Sequence, residues 1–279
     1  MQAPRGRRFH LMIGLFWIAA AAGSGCARRV TVPPEGFGAT GGANLAHTLA
    51  AIPCPDRIAG DLELTVSVPG RSTVRLFGSM RASWPDRIRL QLRLGPFMPV
   101  ATICVDADSA RVILPRAEAY WAGESKSGAN GWTTVTAGLL GALCPNSLAD
   151  GLRGAELSPG HEGWILAGES GDRRFAGFVE FILDPEHPER VLRLTIRDGN
   201  ERLFMRAVRS GRRRVGAADL PKQLRVTTGE PASRFDIRLL RFREDLEQPP
   251  GLYKPEPKEG LRRLTDEDFR MFFEQGGEG

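Results

Sequence analysis

Asp61-Leu62-Glu63-Leu64-Thr65-Val66-Ser67-Val68 alternates polar and apolar side chains, and the same period of two returns twice soon after it. Beyond a Pro69-Gly70 turn, Val74, Leu76, Met80 and Ala82 share one face, and Arg75, Ser79 and Arg81 share the other. Beyond Trp84-Pro85-Asp86, Ile88, Leu90, Leu92 and Leu94 alternate with Arg87, Arg89, Gln91 and Arg93. A period of two predicts strands with one apolar and one polar face, and the short turns join them as antiparallel hairpins. Shorter strands follow at Val100–Val105, Arg111–Leu114 and Ala117–Trp121.

A polar, Gly-rich loop over Gly123–Gly131 ends this run, and Thr133 and Thr134 are N-cap candidates for a helix over Val135–Leu143. Ser147 caps a second, short helix. Strands resume at Gly163–Gly168, Arg173–Leu183, Val191–Arg197, Arg202–Val208, Lys222–Thr227 and Arg234–Phe242, with Asp198-Gly199-Asn200 as a hairpin turn. Upstream, Leu45, Leu49 and Ile52 have helical spacing, and Pro53-Cys54-Pro55 ends that helix. The fold class is therefore mainly β (α+β), with an antiparallel sheet of about 11–12 strands that must curl. The apolar face of that sheet needs a cover, which the first helix and the central helical pair can supply.

The chain ends read differently. Arg5, Arg7 and Arg8 precede an apolar run from Leu11 to Ala22, and small residues lead into Cys26. A run of about a dozen apolar residues is too short to span a bilayer and reads as a secretory leader. Residues 1–25 resemble a bacterial lipoprotein signal, which implies that Cys26 is diacylated and becomes the mature N-terminus. The alternative is an ordinary leader with an incidental cysteine. Ala27 follows the cysteine; by resemblance to enterobacterial lipoproteins, the absence of Asp there implies export to the outer membrane, facing the periplasm. Residues 26–42 read as a lipidated tether rich in Pro and Gly, residues 43–245 as the folded domain, and residues 246–279 as a Pro-rich linker and a helix through Gln275 capped at Thr265.

Without its leader, which holds three arginines and no acid, the chain's formal charge falls from +5 to +2. That balance gives no argument for nucleic acid. Cys54, Cys104 and Cys144 remain for an oxidising compartment. They allow one disulfide and one spare thiol. Cys54 and Cys144, each before a Pro at a helix end, are the favoured pair, and three buried apolar cysteines are the alternative. Histidine is scarce and no CxxC occurs, so no metal or other cofactor is implied. HExxH, GxSxG and phosphate-binding loops are absent. Ser170 and His187 sit in turn contexts. No catalytic residue is assigned, and the chain is expected not to be an enzyme.

Element order and short phrases carry a further likeness: Trp84-Pro85-Asp86-Arg87-Ile88-Arg89-Leu90, then Leu94-Gly95-Pro96-Phe97, then Leu220-Pro221 before a late strand. Over roughly 43–242 the chain resembles the bacterial lipoprotein-localisation family, of the LolA carrier and LolB receptor types. The resemblance implies an unclosed half-barrel with helices as a lid and an apolar cavity for acyl chains. The expected lining is Leu62, Leu64, Leu76, Ile88, Leu90 and Leu92. It also implies a protruding transfer loop at Phe97 and Met98; folding back of those two side chains onto the core is the alternative. The expected partners are lipids or acylated lipoproteins, the outer membrane and a periplasmic carrier protein. An envelope scaffold with a filled interior is the other function expected of such a sheet.

The outer-face arginines at 75, 81, 87, 89 and 93 are expected to face water, with one of them free to bond lid carbonyls. The Arg209-Ser210-Gly211-Arg212-Arg213-Arg214 run reads as a solvated loop, or as a contact for lipid phosphates or an acidic partner.

Overall fold

The computed structural model describes residues 41–107, 109–124, 132–171, 177–229, 233–245 and 247–269, all within a unit that begins at Pro33. The leader, Cys26 and most of the tether lie outside the described residues, as does the end of the C-terminal helix. Helix α1 (Gly41–Ala50) comes first, with Leu45 and Leu49 buried. Six strands follow: β1 (Arg57–Ser67), β2 (Val74–Ser83), β3 (Arg87–Leu94), β4 (Met98–Asp106), β5 (Ser109–Leu114) and β6 (Ala119–Glu124). Helices α2 (Trp132–Leu143) and α3 (Asn146–Ala149) interrupt the sheet. The second half holds β7 (Leu152–Pro159), β8 (Trp164–Ser170), β9 (Gly177–Leu183), β10 (Val191–Asp198) and β11 (Leu203–Ser210). A small hairpin, β12 (Arg213–Val215) with β13 (Ala218–Leu220), precedes β14 (Gln223–Thr228) and β15 (Arg234–Leu239). Two short strands end the set, β16 (Arg243–Glu244) and β17 (Arg262–Leu264).

Apart from the small hairpin, these strands form one curled 15-stranded sheet whose two outermost strands, β17 and β7, do not pair with each other. The half-barrel is therefore unclosed, as expected. Every ladder in it is antiparallel except that of β17 with β6. The two halves meet where β1 pairs with β15, with Leu62 opposite Leu239 and Leu64 opposite Ile237. This register places the alternating leucines of both halves on one inner face.

The helices cover that face. Helix α1 packs on β7 and β8, and a side chain at Gly42 would run into the carbonyl oxygen of Ala155, so the close approach depends on glycine there. Helix α2 bridges the sheet, touching β4 on one side and β10 and β11 on the other. Its Gly138 lies against Met205, where an added Cβ would sit 2.8 Å from the Met205 methyl. A disulfide joins Cys54, just past α1, to Cys144, just past α2, with their Cα atoms 6.1 Å apart.

The C-terminal segment runs across the outer face of the sheet. Its four prolines at 249, 250, 255 and 257 lack an N–H, so this stretch cannot extend the sheet as a regular strand. It offers carbonyls instead, and outer-face arginines supply the donors. Arg89 Nη1 donates to the Leu252 oxygen at 2.9 Å, and Arg111 Nη1 to the Pro255 oxygen at 2.7 Å. Arg87 and Lys254 both pair with Asp106, at 2.8 and 2.9 Å. Burial alone would raise the Asp106 carboxyl, but the Lys254 hydrogen bond, the Ala107 N–H and the adjacent cations outweigh it and hold the group below its ordinary range. Tyr253 is buried, and its hydroxyl donates to Gln248, which in turn donates to Asp245.

The segment then adds β17 beside β6 and begins a helix. Thr265 and Asp268 form the expected N-terminal cap, with the Asp268 N–H donating to Thr265 Oγ1 at 3.1 Å and the Thr265 hydroxyl donating back at 2.9 Å. The water-facing expectation for the outer arginines therefore holds for Arg75, Arg87 and Arg93, whose side chains stay exposed, and is corrected for Arg81 and Arg89, which are partly buried. Arg75 pairs with Glu63, and Arg81, Arg87 and Arg89 bind Asp245, Asp106 and the crossing segment.

Candidate functional site: an apolar chamber under a helical lid

The inner face of the sheet and the underside of α2 enclose a cavity of about 30 Å³. Its wall is wholly apolar. Leu62 and Leu64 come from β1, Met80 from β2, and Leu90 and Leu92 from β3. Leu224, Ile237 and Leu239 come from the second half of the sheet, and Leu139 and Leu143 from the lid. A void of this size has room for about one water, and without polar partners a water gains nothing by entering.

Four of the six residues expected from the sequence, Leu62, Leu64, Leu90 and Leu92, line this cavity. Leu76 and Ile88 are buried in the same apolar core but outside the cavity wall. Of the lining residues not named from the sequence, Met80, Leu224, Ile237 and Leu239 lie on strands with the same alternation, and Leu139 and Leu143 lie on α2. Leu64, Leu90, Leu139 and Ile237 are partly exposed, so the apolar wall reaches solvent at one end.

Side-chain donors from the sheet reach the C-terminal end of the lid, and aromatic rings meet its other end. At the C-terminal end, Trp84 Nε1 donates to the Leu140 carbonyl at 3.3 Å. Arg209 Nη2 donates to the Leu143 carbonyl at 3.2 Å, and its Nη1 to the Val191 carbonyl at 3.2 Å. Helix C-terminal carbonyls lack intrahelical donors, and a guanidinium there satisfies them and opposes the helix dipole. At the other end, Trp132 meets Trp121 and Phe269, with ring centroids 6.2 and 6.4 Å away. Trp121 stacks on Phe269 at 4.7 Å and donates through Nε1 to Asp266. The C-terminal segment thus touches the first turn of the lid.

The carbonyl-bonding arginine expected on the first strands is instead Arg209, which the sequence had placed in a solvated run. Burial and the neighbouring Arg212 push its guanidinium down to about 10, partly offset by Asp219, so it stays charged at neutral pH. The alternation itself carried the signal, because Met205, Ala207 and Arg209 occupy one parity of β11 and the first two are buried.

Between β3 and β4 the chain turns through Gly95, whose φ of +67° suits glycine. Phe97 stands 93% exposed at the tip, with Leu94 and Met98 exposed beside it. The alternative of folding back onto the core does not occur. No helix of the described residues is long and apolar enough to cross a membrane.

The chain matches no protein-family model, and a search of the curated proteins finds no relative. Among solved structures it is similar to a LolA superfamily protein from Nitrosomonas europaea, at 9% identity and a TM-score of 0.53, covering 76% of this chain and 96% of that one. It is also similar to a domain from Vibrio parahaemolyticus assigned provisionally to the outer membrane lipoprotein-sorting proteins, at 11% identity and a TM-score of 0.54, covering 78% and 97%. A third similar structure is a DUF1329 family protein from Desulfovibrio piger, at 12% identity and a TM-score of 0.51, covering 76% and 95%. At these identities the likeness is one of fold.

Proposed function

We propose that this protein is a bacterial envelope lipoprotein that binds an acyl chain between α2 and the inner face of the half-barrel, and receives or passes on acylated cargo. The observation that carries the reading is the wholly apolar wall between the sheet and the underside of α2. The fold it shares with a lipoprotein-sorting domain supports the same reading. A bound chain needs a chamber of about 300 Å³ or more, so α2 must move away from the sheet. Burying about a dozen methylenes brings on the order of 10 kcal/mol. Displacing Leu139 and Leu143 from the wall opposes that by about 2 kcal/mol each.

In this reading Cys26 is the lipid anchor in the outer membrane, the body faces the periplasm, and Phe97 and Met98 meet the membrane or a periplasmic carrier. The protein performs no covalent chemistry. A second reading, a scaffold with a filled interior and a protein partner, is favoured by the small volume of the closed chamber.

Binding of the neutral apolar probe N-phenyl-1-naphthylamine separates the two. The chamber reading expects saturable fluorescence enhancement, displaced by added lipid. Leu90→Gln with Leu139→Gln, both at partly exposed wall positions, should weaken it at least tenfold, given about 2 kcal/mol lost per polar group placed in the wall. No saturable signal would favour the scaffold.

A further inference from the structure

Arg209 lies where the apolar chamber ends. Leu143 and Leu224 both line the cavity. The Leu143 carbonyl accepts a hydrogen bond from Arg209, and Leu224 faces Arg209 across the β11–β14 ladder. The side chain is on the lid-facing side of β11, with Met205 and Ala207.

Its charge is poorly compensated. Two of its nitrogens meet neutral carbonyls, and its Nε is shielded from solvent and has no hydrogen-bond acceptor. Among the described residues no carboxylate forms an ion pair with it; Arg212 repels it, and Asp219 attracts it only from a distance. A shielded cation without a counter-ion is costly and favours the arrival of an anion. A guanidinium binds a carboxylate or phosphate through two parallel N–H donors, more strongly than it binds a carbonyl.

We propose that the chamber takes an anionic amphiphile, an acyl chain ending in a carboxylate or phosphate, with the chain along the leucine wall and the headgroup on Arg209. This rests on the acyl-binding reading above and adds the class of headgroup. It also gives the lid a release. An anion that takes Arg209 from the Leu143 carbonyl removes one of the contacts that hold the last turn of α2. Headgroup binding and lid opening then favour each other.

The test uses the exported full chain carrying Cys26→Ser, so that no acyl group of its own competes. After delipidation it is titrated with laurate, dodecyl phosphate and neutral 1-monolauroylglycerol, which present similar chains. At least one anion should bind about tenfold or more tightly than the neutral lipid, as a charge-assisted contact implies. Comparing laurate with dodecyl phosphate identifies the headgroup. In Arg209→Met the preference should fall to within about twofold while monolauroylglycerol still binds, and in Arg209→Lys it should persist in part, since a point charge replaces a fork. Loss of the lid contact alone would alter all three ligands together and leave their ratio unchanged. The wild-type ratio stands as a test even if the Met variant does not fold. Equal binding of anionic and neutral ligands, or a preference that survives Arg209→Met, would overturn this proposal and leave acyl binding standing. Failure of all three ligands to bind would overturn both.

Discussion

Serine at both Cys54 and Cys144 is expected to lower folding stability by about 4 kcal/mol, because cross-linking a long loop removes much of the freedom of the unfolded chain. The two cysteines are 90 residues apart, and their loop contains the first six strands and α2. The bond also ties the end of α1 to the end of the lid, among fully buried side chains such as Leu49, Leu140 and Leu143. Urea unfolding should show a lower midpoint and a somewhat steeper slope, because the uncrosslinked unfolded chain exposes more surface, and reducing agent should have the same effect on the wild type. Loss of the tether should also speed amide exchange in the last turn of α2 more than in the central strands. An unchanged midpoint under reductant would mean that the covering helices are held by packing alone.

Ending the chain at Asp245 is expected to expose Cys104. That thiol lies on the outer face of β4, between Arg89 on β3 and Arg111 on β5 in register, and those two arginines hold the carbonyls of the crossing segment. It is 1% exposed, and burial pushes it up to about 11, against the lowering effect of Arg89 and Arg111. In the full chain, modification by a thiol reagent should follow opening of the segment or unfolding. In the truncated chain the rate should rise on the order of 100-fold, a typical difference between a protected and a freely opening site. The thiol should also titrate nearer its ordinary value of about 8.5. Truncation removes β17 as well and leaves β6 an uncovered edge, so concentration-dependent association is expected. If the truncated chain does not fold, Arg89→Ala with Arg111→Ala in the full chain should raise the same rate. Slow modification in both would mean that the segment does not cover the sheet in solution.

The parts of the fold that could be read from the sequence are those where side-chain period and burial agree. Strands β1 to β3 alternate cleanly because one of their faces is apolar and buried. Strand β7 did not stand out: Leu152-Arg153-Gly154-Ala155-Glu156-Leu157-Ser158-Pro159 is an irregular edge, and its register with β8 slips between Arg153 and Glu156. The short strands β12, β13, β16 and β17 carry too few residues for a period to appear. The course of residues 247–264 depends on carbonyls meeting distant arginines, and local pattern holds no trace of that. In the site, the wall leucines of the first half were legible, whereas Leu139 and Leu143 sit on a helix that is apolar and small on most of its surface, so no face could be assigned from spacing. Arg209 was hidden by its neighbours. Beside Arg212, Arg213 and Arg214 it looked like part of a basic turn, but its parity with Met205 and Ala207 sets it apart.

The central claim is that an acyl chain occupies the space between α2 and the leucine wall. Native mass spectrometry of the body from residue 27 onward, secreted into a bacterial periplasm, tests it most directly. The account predicts a co-purifying lipid mass that added fatty acid displaces and that is lost when Leu90 and Leu92 are made large and polar. A single ligand-free mass, unchanged by added lipid, would contradict it and leave a half-barrel whose interior is filled by its own side chains.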